Sequence, residues 1–190
     1  MIDPFLFYTV VVLAALTAVI YFVFGRRFGA APVKGTILDR FEGAVHLRDI
    51  FRLAIGIEEE GVNFYGRLAK QAKSPSVKAL CSRLAEEEFS HKELFERQLG
   101  SWRTLHSHKL RSAALVEHAR QKGILTDPPG ENAPEEDMAK FAIAQEVKTA
   151  EFYQSFEKAF PQEWKRAYLQ DLVLEERRHE QDLRAAYPGF

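Results

Sequence analysis

The strongest constraint on the fold is a motif that occurs twice in the chain. Each copy holds Glu-x6-Tyr followed by Glu-x-x-His, and each residue of the first copy returns 88 positions later. A constant offset of this kind is typical of an internal duplication, in which two copies of one supersecondary unit pack against each other. The motif residues are Glu58, Tyr65, Glu88, His91, Glu146, Tyr153, Glu176 and His179.

Apolar residues recur around both copies at the spacing of amphipathic helices. We predict four long helices, at about residues 44–72, 75–99, 134–160 and 162–186. Pro75 and Pro161 separate the two helices of each pair, and a shorter helix is predicted over Thr104 to Lys122 in the long connection between the pairs. The sequence has no useful stretch of β-alternation, so the expected class is all-α: an antiparallel four-helix bundle with a long crossover.

Each predicted helix carries a carboxylate where its apolar stripe would otherwise continue. Residues three apart lie on one helix face, so Glu88 and His91 can ligate one ion together, and the same holds in the second copy. The first glutamate of each copy would then bridge the two ions or complete their ligand sets. The predicted metal ligands are Glu58, Glu88, His91, Glu146, Glu176 and His179.

The charge of this set predicts how many ions it holds. Four buried carboxylates would repel one another or take up protons, whereas two divalent ions neutralise them. Mixed carboxylate and imidazole ligands favour iron, with manganese as the other candidate. Tyr65 and Tyr153, two turns along the ligand face, are the predicted catalytic residues and would hydrogen-bond the carboxylate of the opposite hairpin.

The N-terminal region predicts a membrane anchor. Residues 5–25 include no ionisable side chain other than tyrosine, and a helix of that length spans roughly 30 Å of hydrocarbon. Asp3 precedes the run while Arg26 and Arg27 follow it, which favours a single-pass anchor with the N-terminus outside and the bundle in the cytoplasm. A cleaved signal peptide and a buried core helix are the alternatives. The predicted organisation is an anchor at 1–27, a juxtamembrane linker at 28–43 and the bundle at 44–190.

Composition excludes several functional classes. The 26 Lys and Arg residues balance 27 Asp and Glu residues, so no basic excess indicates nucleic-acid binding. Cys81 is the single cysteine, which excludes a disulfide framework and any metal site with four thiolates in the chain. We expect Cys81 to be a small core residue. Any bound metal must therefore use oxygen and nitrogen ligands.

At the duplicated motif the chain resembles the ferritin-like di-iron carboxylate family, over residues 44–187, and within it bacterioferritins and the rubrerythrin group. Rubrerythrins carry a further carboxylate where this chain has Thr149, so their ligand switching is not implied. Bacterioferritins carry a haem-binding methionine where this chain has Phe89, so no haem is expected. Ferritin cages use a fifth helix after the bundle, which we do not expect here.

The resemblance implies a membrane-tethered di-iron oxidoreductase that uses O2 or H2O2 and an external electron donor. The alternatives are an iron-handling module beside a membrane transporter, with Fe(II) as its substrate, and a structural bundle with a static metal pair. A homodimer is compatible with each of these functions. We expect Glu59, Glu60, Glu86 and Glu87 on solvated helix faces, and His118 at the surface. Glu87 and Glu175 also lie within one turn of their histidines, so they are the substitute ligands if the register is off by one.

Overall fold

The computed structural model describes residues 33–100 and 112–190, and every structural statement below refers to these residues. They belong to one compact unit, Pro32–Phe190. The predicted anchor at 5–25 lies outside the described residues. In the part of the chain that is described, no helix has the length and apolar character needed to cross a bilayer.

Five α-helices and one short 3-10 helix, Ile37–Phe41, make up the regular structure of the described residues. The helices are α1 Leu47–Gln71, α2 Pro75–Gly100, α3 Ala113–Gln121, α4 Glu135–Glu157 and α5 Glu163–Ala186. Neither described range contains a strand. The predicted all-α class is therefore confirmed for them.

The four long helices form two hairpins that pack side by side. Helix α1 packs along α2, α4 packs along α5, and across the hairpins α1 meets α4 while α2 meets α5. Tyr65 of α1 contacts Glu146 of α4, whereas Tyr153 of α4 contacts Glu58 of α1. Along the bundle axis, residue numbers rise in opposite directions in α1 and α4. These two helices are therefore antiparallel, as a ferritin-like bundle requires.

Two apolar clusters lie on opposite sides of the layer of the bundle that contains the predicted ligand residues. One cluster contains Tyr153 with Phe51, Phe95 and Phe156, and it includes side chains of α3. The other contains Tyr65 and its own apolar neighbours from all four long helices. Because both ends are closed by apolar packing, charges at the level between them interact in a medium of low dielectric constant.

The first and last turns of the helices differ from the sequence prediction because local hydrogen bonds set them. Helix α1 begins at Leu47 rather than 44, since the His46 backbone N–H donates to Asp49 Oδ2 at 3.0 Å and caps the first turn. Helix α3 begins at Ala113, since Ser112 is extended and its Oγ accepts from the Leu115 N–H; the start predicted at Thr104 lies outside the described residues. Helix α4 ends at Glu157, before Pro161 is reached.

Part of the predicted linker, 28–43, packs onto the bundle. Leu38 is buried in the core cluster, and the Val33 N–H donates to the Ala159 carbonyl at 3.2 Å. The Phe41 ring meets His118 edge-on, with ring centroids 5.5 Å apart. His118 is therefore half-buried rather than at the surface, whereas Cys81 is fully buried, as predicted.

Candidate metal centre

The structure brings all six predicted ligand residues to one level of the bundle. Their ligand atoms form two groups, and within each group all the atoms lie within 4.8 Å of one another. The group that we call the His91 group contains Glu58, Glu88, His91 and Glu176. The His179 group contains Glu88, Glu146, Glu176 and His179.

Glu88 and Glu176 belong to both groups, which the sequence pattern left undecided. The first glutamate of each copy enters one group only: Glu58 joins His91, and Glu146 joins His179. The arrangement is that of two adjacent ligand sets with two shared carboxylates. A carboxylate has two oxygens, so each shared residue can offer one oxygen to either side.

The distances within each group suit an ion. His91 Nδ1 lies 3.5 Å from Glu58 Oε2 and 3.7 Å from oxygens of Glu88 and Glu176. Two ligands that each lie about 2.1 Å from one ion are roughly 3 to 4 Å apart, depending on the angle between them. His179 Nδ1 repeats the pattern, at 3.3 Å from Glu88 Oε1 and 3.5 Å from Glu146 Oε2.

The ligand atoms are buried and lack partners. Each of the six residues is at most 6% exposed. Among the described residues no hydrogen bond is made by five atoms that face the centre: Glu58 Oε2, His91 Nδ1, Glu146 Oε2, Glu176 Oε1 and His179 Nδ1. An unpaired buried polar atom costs about 1–3 kcal/mol, so several at one point indicate a missing ligand. The residues present therefore fit a metal site.

Without a metal, protons must balance this charge. Burial first, and then the Glu88 carboxylate, raise the pKa of both Glu58 and Glu176. Although burial opposes protonation, Glu58 and Glu88 raise the pKa of His91 to about 11, and Glu146 and Glu88 raise the pKa of His179 to about 10. Metal binding must therefore release protons from this centre.

The two tyrosines connect the hairpins at the metal centre. The Tyr65 hydroxyl donates to Glu146 Oε1, and the Tyr153 hydroxyl donates to Glu58 Oε1. Each tyrosine thus orients the unshared glutamate of the opposite hairpin. This is the contact that the duplicated spacing predicts.

Glu87 was expected on a solvated face and is instead partly buried, and both Glu87 and Glu175 contact a histidine of the centre. Glu175 Oε2 lies 2.5 Å from His91 Nε2, and Glu87 Oε2 lies 2.9 Å from His179 Nε2. Each carboxylate holds the ring nitrogen that faces away from the centre, as in carboxylate–histidine–metal arrangements. The signal in the sequence is that both glutamates share the 88-residue offset.

The surroundings of these two carboxylates break the symmetry. Glu87 also pairs with Arg83 at 3.1 Å and Arg178 at 3.2 Å. Glu175 forms no ion pair with a lysine or arginine within the described ranges, and its contact with His91 is the shorter one. Two cations compensate the charge of Glu87, so it polarises His179 less than Glu175 polarises His91.

We therefore expect Glu175→Gln to weaken metal binding more than Glu87→Gln. Loss of such a partner typically costs 10- to 100-fold in metal affinity, and Glu175→Gln should reach the upper part of this range. The measurement is calorimetric titration of each variant with Mn(II). Glu86→Gln, an exposed neighbour on α2, is the control. Equal losses of metal affinity in the two variants would show that the arginines beside Glu87 do not weaken its effect on His179.

Comparison with known proteins assigns the family. The rubrerythrin family model matches residues 49–187, which include both hairpins and all six predicted ligands. No curated protein matches the chain. No solved structure matches it either. The family match and the two buried histidine–carboxylate groups point to the same chemistry, and the chain belongs to the rubrerythrin family.

Proposed function

We propose that this protein is a di-iron oxidoreductase that uses O2 or H2O2 and is tethered to a membrane by residues 5–25. The observation that carries the proposal is the pair of buried ligand groups sharing Glu88 and Glu176. Two ferrous ions bound there would supply two electrons to the oxidant. Manganese is the alternative metal, because the same ligands accept it.

The chain's own residues supply the geometry of the centre. Carboxylates balance the ionic charge, the apolar clusters close the two ends, and the cleft lined by Glu146 is the side on which the centre is open. Burial first, and then Glu146 and Glu58 respectively, raise the pKa of Tyr65 and Tyr153. Both phenols therefore stay protonated at neutral pH and act as hydrogen-bond donors to the unshared glutamates.

An external electron donor is part of the proposal. Cys81, the single cysteine, cannot form a four-thiolate iron site, and it is buried. We propose that the electrons that return the centre to its reduced form come from an external donor, a second protein or a small molecule.

The decisive experiment combines metal analysis with rapid mixing. Purified protein should bind two iron ions per chain, and its ferrous form should be oxidised when O2 or H2O2 is added in a stopped-flow instrument. Fewer than two bound ions, or a ferrous form inert to both oxidants, would contradict the proposal.

Tyr65→Phe should leave two metals bound and change the rate of oxidation. The substitution removes the hydroxyl that donates to Glu146 but removes no ligand atom. Iron content and the stopped-flow rate are measured on the same sample. Tyr187→Phe is the matched control, since it deletes a hydroxyl bonded to Glu135 away from the centre. Loss of iron in Tyr65→Phe alone would show that the phenol is required for metal binding itself.

The proposed orientation places the bundle in the cytoplasm. The acidic residue before the run at 5–25 and the basic residues after it support this orientation. Protease added to intact cells or spheroplasts should leave the bundle whole, and should digest it once the membrane is opened. Digestion in intact cells would mean the opposite topology.

An iron-handling module is the second candidate, because an open cleft reaches Glu146 and would give ions a path. In both cases we expect no mineral store. After Fe(II) and oxidant are added in large excess and the protein is desalted, about two ions per chain should remain. An enzyme keeps these ions through many turnovers, whereas a handling module transfers them to an added chelator. Hundreds of retained ions would indicate storage.

A further inference from the structure

A cleft of about 660 Å3 lies between α1 and α4 and reaches the metal centre. Glu88, Glu146 and Glu176 lie at its inner end, so it opens onto the His179 group. Its walls combine apolar side chains with polar and charged ones, and the residues after α3 form its outer side. Lining residues include Ile57, Gly61, Phe64, Leu125, Phe141 and Thr149.

The volume exceeds what O2 or H2O2 requires. A water molecule occupies about 30 Å3 in the liquid, so the cleft would hold roughly twenty of them. Sites for small organic ligands commonly measure about 300–1,000 Å3. The space therefore matches an organic molecule rather than the oxidant alone.

Small residues keep the inner end open. Gly61 of α1 and Thr149 of α4 occupy equivalent positions in the two copies of the motif. A Cβ atom at Gly61 would lie 3.2 Å from Glu88 Cγ, so a larger residue there would press on that carboxylate. By contrast, the cluster at the Tyr153 end is filled by aromatic rings.

The outer side of the cleft is held in place without a ligand. The Gly123 carbonyl accepts hydrogen bonds from Thr126 Oγ1 at 2.8 Å, Lys148 Nζ at 3.1 Å and Gln145 Nε2 at 3.4 Å. Gly123 has φ of 72°, a conformation that favours glycine. These bonds tie the segment after α3 to α4, so the cleft is preformed.

The charges around the cleft disfavour the binding of anions. The rim carries Glu60 and Asp127. Of the cations beside it, Arg120 is paired with Glu117 at 3.1 Å and Lys148 donates to the Gly123 carbonyl at 3.1 Å. Two divalent ions would only balance the four carboxylates of the centre. At the inner end, Glu146 Oε2 lacks a hydrogen-bond partner among the described residues, and because a carboxylate oxygen has two lone pairs it can accept a hydrogen bond from a hydroxyl group whether or not it also ligates an ion.

We propose that this cleft binds a small uncharged organic molecule with an apolar body and one hydroxyl group, its hydroxyl directed at the carboxylates of the His179 group. Its role as a co-substrate rests on the proposed function. The molecule would contact only the side chains that line the cleft and the carboxylate oxygens at its inner end. It should therefore bind with or without bound metal.

The test is a binding titration of the full chain with phenol, toluene and benzoate, followed by calorimetry or ligand-observed NMR. Phenol should bind at least tenfold more tightly than toluene, which lacks the hydroxyl, and than benzoate, which is an anion. Leu125→Trp and, at the exposed rim, Asp127→Trp should each weaken phenol binding at least tenfold by filling the cleft. Leu174→Trp, at a position 68% exposed on α5, is the control and should bind phenol normally.

Metal content is measured on every sample, which separates the two proposals. Phenol binding by a protein that takes up no metal when Fe(II) is supplied would support the cleft and contradict the di-iron function. Bound metal without phenol binding would overturn the cleft proposal and leave the function intact. Phenol affinity unchanged in both folded tryptophan variants, or benzoate affinity equal to that of phenol, would also overturn it.

Discussion

Glu176→Ala is expected to reduce the metal content from two ions per chain to less than one. Glu176 belongs to both ligand groups, so its loss removes a ligand from each position at once. Glu58→Ala should instead leave close to one ion, because Glu58 belongs to the His91 group only. The measurement is elemental analysis of metal per chain after desalting, with Mn(II) electron paramagnetic resonance to distinguish single ions from coupled pairs.

Glu151→Ala is the matched control, since Glu151 lies exposed on the same helix as Glu146. It should keep both ions. If Glu176→Ala retained one full ion and lost only the other, each Glu-x-x-His unit would hold its own ion, and sharing of Glu176 would be wrong.

Metal removal is expected to lower the thermal stability of the protein by about 10–20 °C. A ligand at one hundred times its dissociation constant stabilises the fold by about 2.7 kcal/mol, and two such sites give about 5 kcal/mol. For a chain of this size each kcal/mol corresponds to roughly 2–4 °C. Thermal unfolding with and without a chelator measures the difference. An unchanged transition would contradict tight metal binding at this centre.

The metal-free protein should also lose stability as the pH rises. Folding raises the pKa of His91 from 6.5 to about 11 and that of His179 to about 10, so the stabilisation is full below pH 6.5 and is lost through pH 10–11. The raised pKa of Glu58 and of Glu176 acts in the same direction, because the protonated forms favour the fold.

The ionisation of Glu88 changes the stability of the fold in the opposite direction, but only at acidic pH. Although burial opposes ionisation, the neighbouring Glu58 and the two histidines lower the pKa of Glu88, so its contribution is lost as the pH falls below about 4.5. Between pH 6 and pH 9 the transition temperature of the metal-free protein should therefore fall. The metal-loaded protein should show no such fall, because protons compete with metal for the same atoms. A rising transition temperature in the metal-free protein would contradict this balance.

The sequence alone identified the residues that the structure brings together. Helical periodicity places Glu88 and His91 on one face, and the duplication predicts the same face in the second hairpin. These are local rules, in which spacing along one helix determines which side chains share a face. They extend to the all-α class and to the contact of each tyrosine with the opposite hairpin.

Tertiary structure alone decided which carboxylates are shared and which support the histidines. Glu87 is one residue from a ligand on α2, yet its partner is His179 on α5. Spacing along one helix cannot reveal that pairing, because it depends on how two antiparallel helices are offset against each other. The same holds for the arginines at Glu87 and for the cleft beside Gly61, which exist only once separate helices and the segment after α3 meet. Local periodicity therefore determined which residues are the candidate ligands, and packing between helices determined their surroundings.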